Sequence, residues 1–308
     1  MAAGEAAETR SLEELAYRWG LALVLAAGIC WSTIGIGLRM IAEASVWQIL
    51  FYRSLALAAL LIVVMTIRSK GRALKSVRAA GASGLIGGGA LVFAFAGGIT
   101  AIQTTTVANA MLLFATAPFM TALLGLLILR EQVRKATWVA MALSMFGVGI
   151  MVAGGIALGH WIGNVAGLLS ALGFAVFTIT LRWRRTDDTL PGVFLGGVLS
   201  VIVAGVVCTA TGQSLILLPA DLGLSFGMGV FQVGAGLVLY SLGSKGLPAG
   251  ELALLSTLEV LLGPIWVWVI LGETASPSTI WGGAILLAAL TWNSLSGMRR
   301  RPLPVLGI

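Results

Sequence analysis

Long apolar runs separated by short polar turns make up almost the whole chain. Ten of them approach or exceed 20 residues: approximately 21–41, 47–67, 81–101, 107–129, 137–156, 163–183, 191–211, 222–242, 249–271 and 277–297. A bilayer-spanning helix takes about 20 predominantly apolar residues, so each run predicts a transmembrane α-helix. The apolar positions are continuous rather than alternating, which excludes a β-barrel. Little chain is left over for a soluble domain.

The stretch Val107–Glu131, VANAMLLFATAPFMTALLGLLILRE, has a second copy beginning 142 residues later at Ala249–Glu273. Asn109 falls on Glu251, Pro118 on Val260 beside Pro264, and Glu131 on Glu273. Six of 31 positions over 107–137 are identical. The polar start, the mid-helix proline and the terminal Glu carry the match further than that count. The first helices agree as well: the stretch ending at Arg39 aligns with Gly173–Arg182, placing Trp31 on Phe174 and Arg39 on Arg182. Each half then holds five spans, an odd number, so the second half enters the membrane inverted. The expected architecture is an all-α membrane protein of ten transmembrane helices, built as two inverted five-helix repeats. Its parts are an N-terminal segment 1–20, a first repeat 21–156, a second repeat 163–297 and a tail 298–308.

Composition agrees. Hydrophobic residues make up 58% of the chain, charged residues 10%, and mean hydropathy is +1.01. No water-soluble core needs that ratio. The net charge of +7 reflects the turns and is no nucleic-acid footprint. With the N-terminus in the cytoplasm, 17 of the 19 Lys and Arg residues fall at cytoplasmic ends, leaving Arg39 at an outer end and Arg53 within span 2. That is the positive-inside pattern, and it predicts both termini in the cytoplasm of a cell whose inner membrane holds the protein. The segment 1–20 carries Glu5, Glu8, Glu13 and Glu14 and lacks the features of a cleaved secretory signal. Cys30 and Cys208 read as packing residues, and no metal spacing is visible.

Polar and aromatic groups at mid-depth are the candidate site, because polar groups in hydrocarbon must face partners or water. The candidates for substrate binding are Trp31, Ser32, Phe93, Asn109, Thr116, Phe174, Phe177, Gln232 and Glu259. The aromatics offer faces to a planar or cationic molecule. Arg53 lies about six residues, roughly 9 Å, below the outer end of span 2. It can snorkel, pair with Glu43, or take part in binding or an outer gate. Glu259 is residue 11 of its span and its repeat counterpart is Ala117. It binds a cationic part of a substrate, carries a coupling proton, or is protonated and bonded to a neighbouring helix. Glu131 and Glu273 read as structural, capping the helix that follows each. Gly84 and Gly88 make a small-residue face for close helix approach. Pro118 can kink span 4.

Four stretches together resemble the drug/metabolite transporter superfamily, specifically its EamA-like ten-helix group. They are Phe51-Tyr52-Arg53, Thr104–Glu131, the Arg182-Trp183 pair and Leu254–Glu273. The resemblance covers essentially everything after residue 20. It implies two inverted repeats around a central cavity, cytoplasmic termini, and substrates among amino acids, their derivatives, nucleotide-related metabolites, vitamins or toxic amphiphiles.

The expected function is secondary transport of a small organic metabolite by alternating access, with export chosen because many members of the resembled group export. Import of a vitamin, nucleoside-like or amino-acid nutrient is the alternative. The expected partners are the substrate, the bilayer and possible coupling protons, with no nucleic acid and no cofactor. A channel, a structural bundle or a membrane-embedded transferase are rivals. The single His and the absence of a nucleophile–base pair argue against an enzyme.

Overall fold

Every apolar run is helical in the computed structural model. It describes residues 2–157, 159–183, 188–244, 247 and 249–298, without the side chains of 2–14, 16, 155–157, 249–251, 253, 254, 256, 257, 297 and 298. Arg184, Arg185, Lys245, Arg299, Arg300, Arg301 and the tail beyond 298 lie outside the described residues, as do the side chains of Arg10 and Glu251.

The helices are α1 Ala2–Ser32, α2 Ile34–Arg39, α3 Val46–Arg68, α4 Ala73–Thr104, α5 Val107–Phe114, α6 Ala117–Leu129 and α7 Lys135–Ala157 in the first half. The second half holds α8 Trp161–Trp183, α9 Leu190–Ala210, α10 Pro219–Gly227, a π-helical segment Met228–Ala235, α11 Gly236–Gly243, α12 Ala249–Leu271 and α13 Pro277–Met298. Among the described residues, eight spans are long and apolar enough to cross a membrane, running from Tyr17–Arg39 to Pro219–Gly243. Helices α12 and α13 occupy the ninth and tenth expected spans, with 23 and 22 residues. The protein is an all-helical, multi-pass membrane protein.

Local sequence explains the breaks. The first span divides at Thr33, whose hydroxyl donates to the Cys30 carbonyl (2.7 Å). Helix α1 runs unbroken from Ala2 into the first span. Helix α3 opens with a capping box: Ser45 Oγ accepts from the Gln48 N–H, and Gln48 Oε1 accepts from the Ser45 N–H (2.8 Å). Span 4 ends one helix at Phe114 and starts another at Ala117, with Pro118 in the first turn where its missing N–H costs nothing. Pro264, by contrast, sits inside an unbroken α12.

The two halves pack as a symmetric pair. Helix α4, third span of the first half, packs on α8 and α9, the first and second spans of the other half. The third span of the second half repeats this, its α11 and π-helical segment packing on α1, its α10 and π-helical segment on α3. Helix α1 lies on α12 as α8 lies on α5 and α6. The second spans α3 and α9 pack together, and so do the fifth spans α7 and α13. Each of these contacts has its counterpart under an exchange of halves, the pattern of an inverted repeat. Small residues permit the approach: a Cβ on Gly88 would stand 3.0 Å from the Gly196 backbone nitrogen where α4 crosses α9.

Candidate functional site

Two ends of the bundle are distinguished by their turns. The basic face carries Arg68, Lys70, Arg72 and Arg130; the far face carries the turns after Arg39 and Thr104.

Between these faces, spans 1, 2, 3, 8 and 9 converge. Trp31 packs against Tyr240 of α11 with ring centroids 5.3 Å apart and the rings tilted by 41°, and Gly236 gives room for its indole. Ser32 is fully buried, donating to the Ile29 carbonyl (2.7 Å) and accepting from Trp266 Nε1 (3.0 Å), which joins α1 to α12. The Ser32 hydroxyl thus spends its hydrogen bonds on the fold.

Arg53 neither snorkels nor pairs with Glu43. Its side chain is 3% exposed and its guanidinium lies over the Phe95 ring, 5.0 Å from the centroid. It has no hydrogen bond or ion pair with any described residue. It occupies the junction of three spans. Phe95 comes from α4, and the π-helical segment comes so close that a Cβ on Gly229 would collide with the Arg53 carbonyl. Gln232, three residues on in the same π-helical segment, is buried with Oε1 unpartnered. π-Helical segments are rare and frequent at functional sites.

The other sequence candidates sit elsewhere. Phe93 is 71% exposed, on the face of α4 turned away from the one that carries Gly84 and Gly88 against α9. Phe174 is half exposed and makes a tilted ring contact at 6.1 Å with Phe177, which is buried against Gly87 and Gly192 near the basic face. Asn109 is not at mid-depth. It is the third residue of α5, at the far face, where Nδ2 donates to Asn164 Oδ1 (2.6 Å) and Thr105 Oγ1 (3.1 Å). Thr116 marks the α5–α6 break and donates to the Leu113 carbonyl (2.6 Å). Glu259 is part-buried in the middle of α12 and has no ion pair among the described residues.

Glu131 and Glu273 do not cap the helices that follow them. Glu273 Oε2 accepts from Arg39 Nε (2.7 Å), and its Oε1 accepts from the Val107 N–H (2.7 Å) that opens α5 in the other half. Arg39 also donates to the Thr105 carbonyl (2.6 Å). At the basic face Glu131 Oε2 pairs with Arg182 Nη2 (2.6 Å). Each pair joins one half to the other, and the repeat carries each onto its counterpart. Their geometry has a shared cause: Arg130 and Gly272, equivalent in the repeat, both take the left-handed conformation, with φ of 55° and 69°. That turn ends the helix and swings the next residue, the Glu, toward the opposite half.

Two further residues carry weight that sequence reading passed over. Asp221 is buried and accepts three backbone N–H bonds, from Ala42 (3.0 Å), Glu43 (2.9 Å) and Ala44 (3.0 Å), clamping the α2–α3 turn to α10. Phe95 follows the chosen Phe93 by two residues.

Residues 18–153 and 161–295 each match the sequence profile of the EamA-like transporter family. The chain belongs to the EamA-like transporter family. Among curated relatives, this EamA-like chain is 27% identical over 200 residues to the uncharacterized transporter YwfM of Bacillus subtilis, covering 62% of this chain and 66% of that one. It is 26% identical over 280 residues to an uncharacterized transporter of Archaeoglobus fulgidus, covering 89% and 95% of the two chains. A protein of known crystal structure superposes with a TM-score of 0.65 at 17% identity, over 93% of this chain and 100% of that one. That likeness concerns the fold of this EamA-like chain alone.

Proposed function

We propose that this EamA-like protein is a secondary transporter that exports a small organic metabolite across the cytoplasmic membrane by alternating access, with the basic face in the cytoplasm. The observation that carries the reading is the pair of repeat-equivalent ion bridges, Arg39–Glu273 at the far face and Arg182–Glu131 at the basic face. Each closes one end of the seam between the halves. Rocking one half against the other breaks one bridge while keeping the other, which is the motion that exposes a central site to alternate sides. The positive-inside distribution of charge supports the orientation. Glu259 supports proton coupling as an acid within the membrane, where such groups mark ion pathways.

Counterflow in proteoliposomes tests this. Purified protein is loaded with unlabelled amino acids or short carboxylic acids and presented with the labelled compound outside. A carrier gives saturable, transient accumulation. Non-saturable equilibration identifies a channel, and chemical change of the label identifies an enzyme; either result overturns the proposal.

A further inference from the structure

Among the described residues, the buried cation Arg53 has no counter-charge. Arg53 is seven residues beyond the start of α3, roughly 10 Å below the far face, and it is 3% exposed. The two ion pairs among the described residues use other arginines. Burying a guanidinium without a counter-charge costs several kcal/mol, and more inside a bilayer than in a soluble core. Packing alone would not retain it, since an apolar side chain of similar length fills the same volume without that cost. What the site lacks is an anion.

We propose that Arg53 is the anchor for the carboxylate of the transported molecule, which places the substrate among small organic carboxylates. The surroundings fit that class. The Arg53 guanidinium carbon lies over the Phe95 ring, 5.0 Å from its centroid, a cation–π contact that holds the cation in place. A guanidinium so held presents parallel N–H groups that match a carboxylate in bidentate fashion. Gln232 Oε1, unpartnered in the π-helical segment that packs on α3 beside Arg53, is an acceptor for an N–H or O–H donor on the same molecule. Trp31 and Tyr240, in tilted ring contact, lie at α11, which continues that segment, and offer apolar faces to the remainder. A ligand with a carboxylate and a nearby donor would engage both the Arg53 guanidinium and Gln232 Oε1.

The inference rests on the transporter reading only for the word "transported"; binding is read without transport, so the two can fail separately. The test is thermal unfolding of the full chain in detergent, followed by tryptophan fluorescence. The probes are benzoate, propionate and succinate, each beside its neutral amide, with chloride and phosphate as inorganic arms. The expected result is that at least one carboxylate raises Tm by about 2 °C or more at millimolar concentration while its amide does not. Arg53→Met is expected to abolish that response while unfolding no earlier than the ligand-free parent, because the uncompensated charge is gone. Arg53→Lys keeps the charge without the fork and should weaken the response about tenfold. A flat response to every carboxylate overturns the proposal. So do equal shifts from acids and amides, a chloride or phosphate shift matching that of the carboxylates, or a response that survives in Arg53→Met. An Arg53→Met protein that cannot be obtained folded also overturns it, since the guanidinium would then serve the fold.

Discussion

Single residues divide by whether their polar groups are already used. Asp221 is used completely: one carboxylate holds three consecutive N–H groups of the α2–α3 turn. Charge-assisted bonds of this kind are strong, and a buried donor left unmet carries its full desolvation cost. Asp221→Ala should therefore lower stability by about 3 kcal/mol, read as a fall in Tm without a change in what the protein binds. Glu259 is the opposite case, a part-buried acid with no ion pair among the described residues. If it carries the coupling proton, Glu259→Gln in proteoliposomes loses gradient-driven accumulation while exchange at equal pH survives. Loss of both with weaker binding assigns it to direct contact with the substrate instead, and unchanged transport makes it a packing residue. Asp221 was not legible in the sequence, because its value lies in a turn 177–179 residues away. Phe93 and Phe95 were both visible at mid-depth. Two residues turn a helix through 200°, so choosing the inward ring needs the neighbours of α4, which one sequence does not supply.

At the scale of elements, apolar length carried most of the information. Each run became a helix because backbone groups in hydrocarbon can be satisfied only within the helix itself. Helix ends and interruptions were less visible. Thr33 breaks the first span although a hydroxyl residue commonly sits unnoticed in a membrane helix, while Pro264 leaves α12 intact. The π-helical segment at Gln232 gave only an indirect sign, its crowd of glycines at 227, 229, 234 and 236. The left-handed turns at the ends of α6 and α12 are the clearest pair: Gly272 takes that conformation freely, while Arg130 takes it at a cost of about 1 kcal/mol from its Cβ. Arg130→Gly should raise stability by roughly 0.5 kcal/mol, the relieved strain outweighing the added freedom of the unfolded chain. A lower Tm would mean that the Arg130 side chain contributes to holding the basic face.

For the whole molecule, the inverted repeat relates two distant ion pairs, the closures of the proposed alternating access, and the two are unequal. The far-face bridge is reinforced by the Arg39 bond to the Thr105 carbonyl and the Glu273 bond to the Val107 N–H. Among the described residues the basic-face bridge has no such added side-chain bond, and its side chains are 45% and 39% exposed against 26% and 23% at the far face. Exposed pairs contribute about 0–1 kcal/mol, so the basic-face bridge adds little to holding the halves together. Glu131→Gln should lower stability by under about 1 kcal/mol and leave transport in place. Glu273→Gln should cost more, because it deprives Arg39 of its counter-charge and weakens acceptance at an otherwise unpaired helix-opening N–H. Bridging each pair covalently separates closure from stability. The bridges reach through long side chains, too far for a direct disulfide to be assumed. Glu131→Cys with Arg182→Cys, and Arg39→Cys with Glu273→Cys, are therefore joined by a short bis-methanethiosulfonate linker, with Cys30 and Cys208 replaced by alanine. Either link is expected to abolish counterflow, and reductant to restore it in both. Transport that continues with one end tied would mean that the halves do not rock about this seam, whatever else the two bridges hold together.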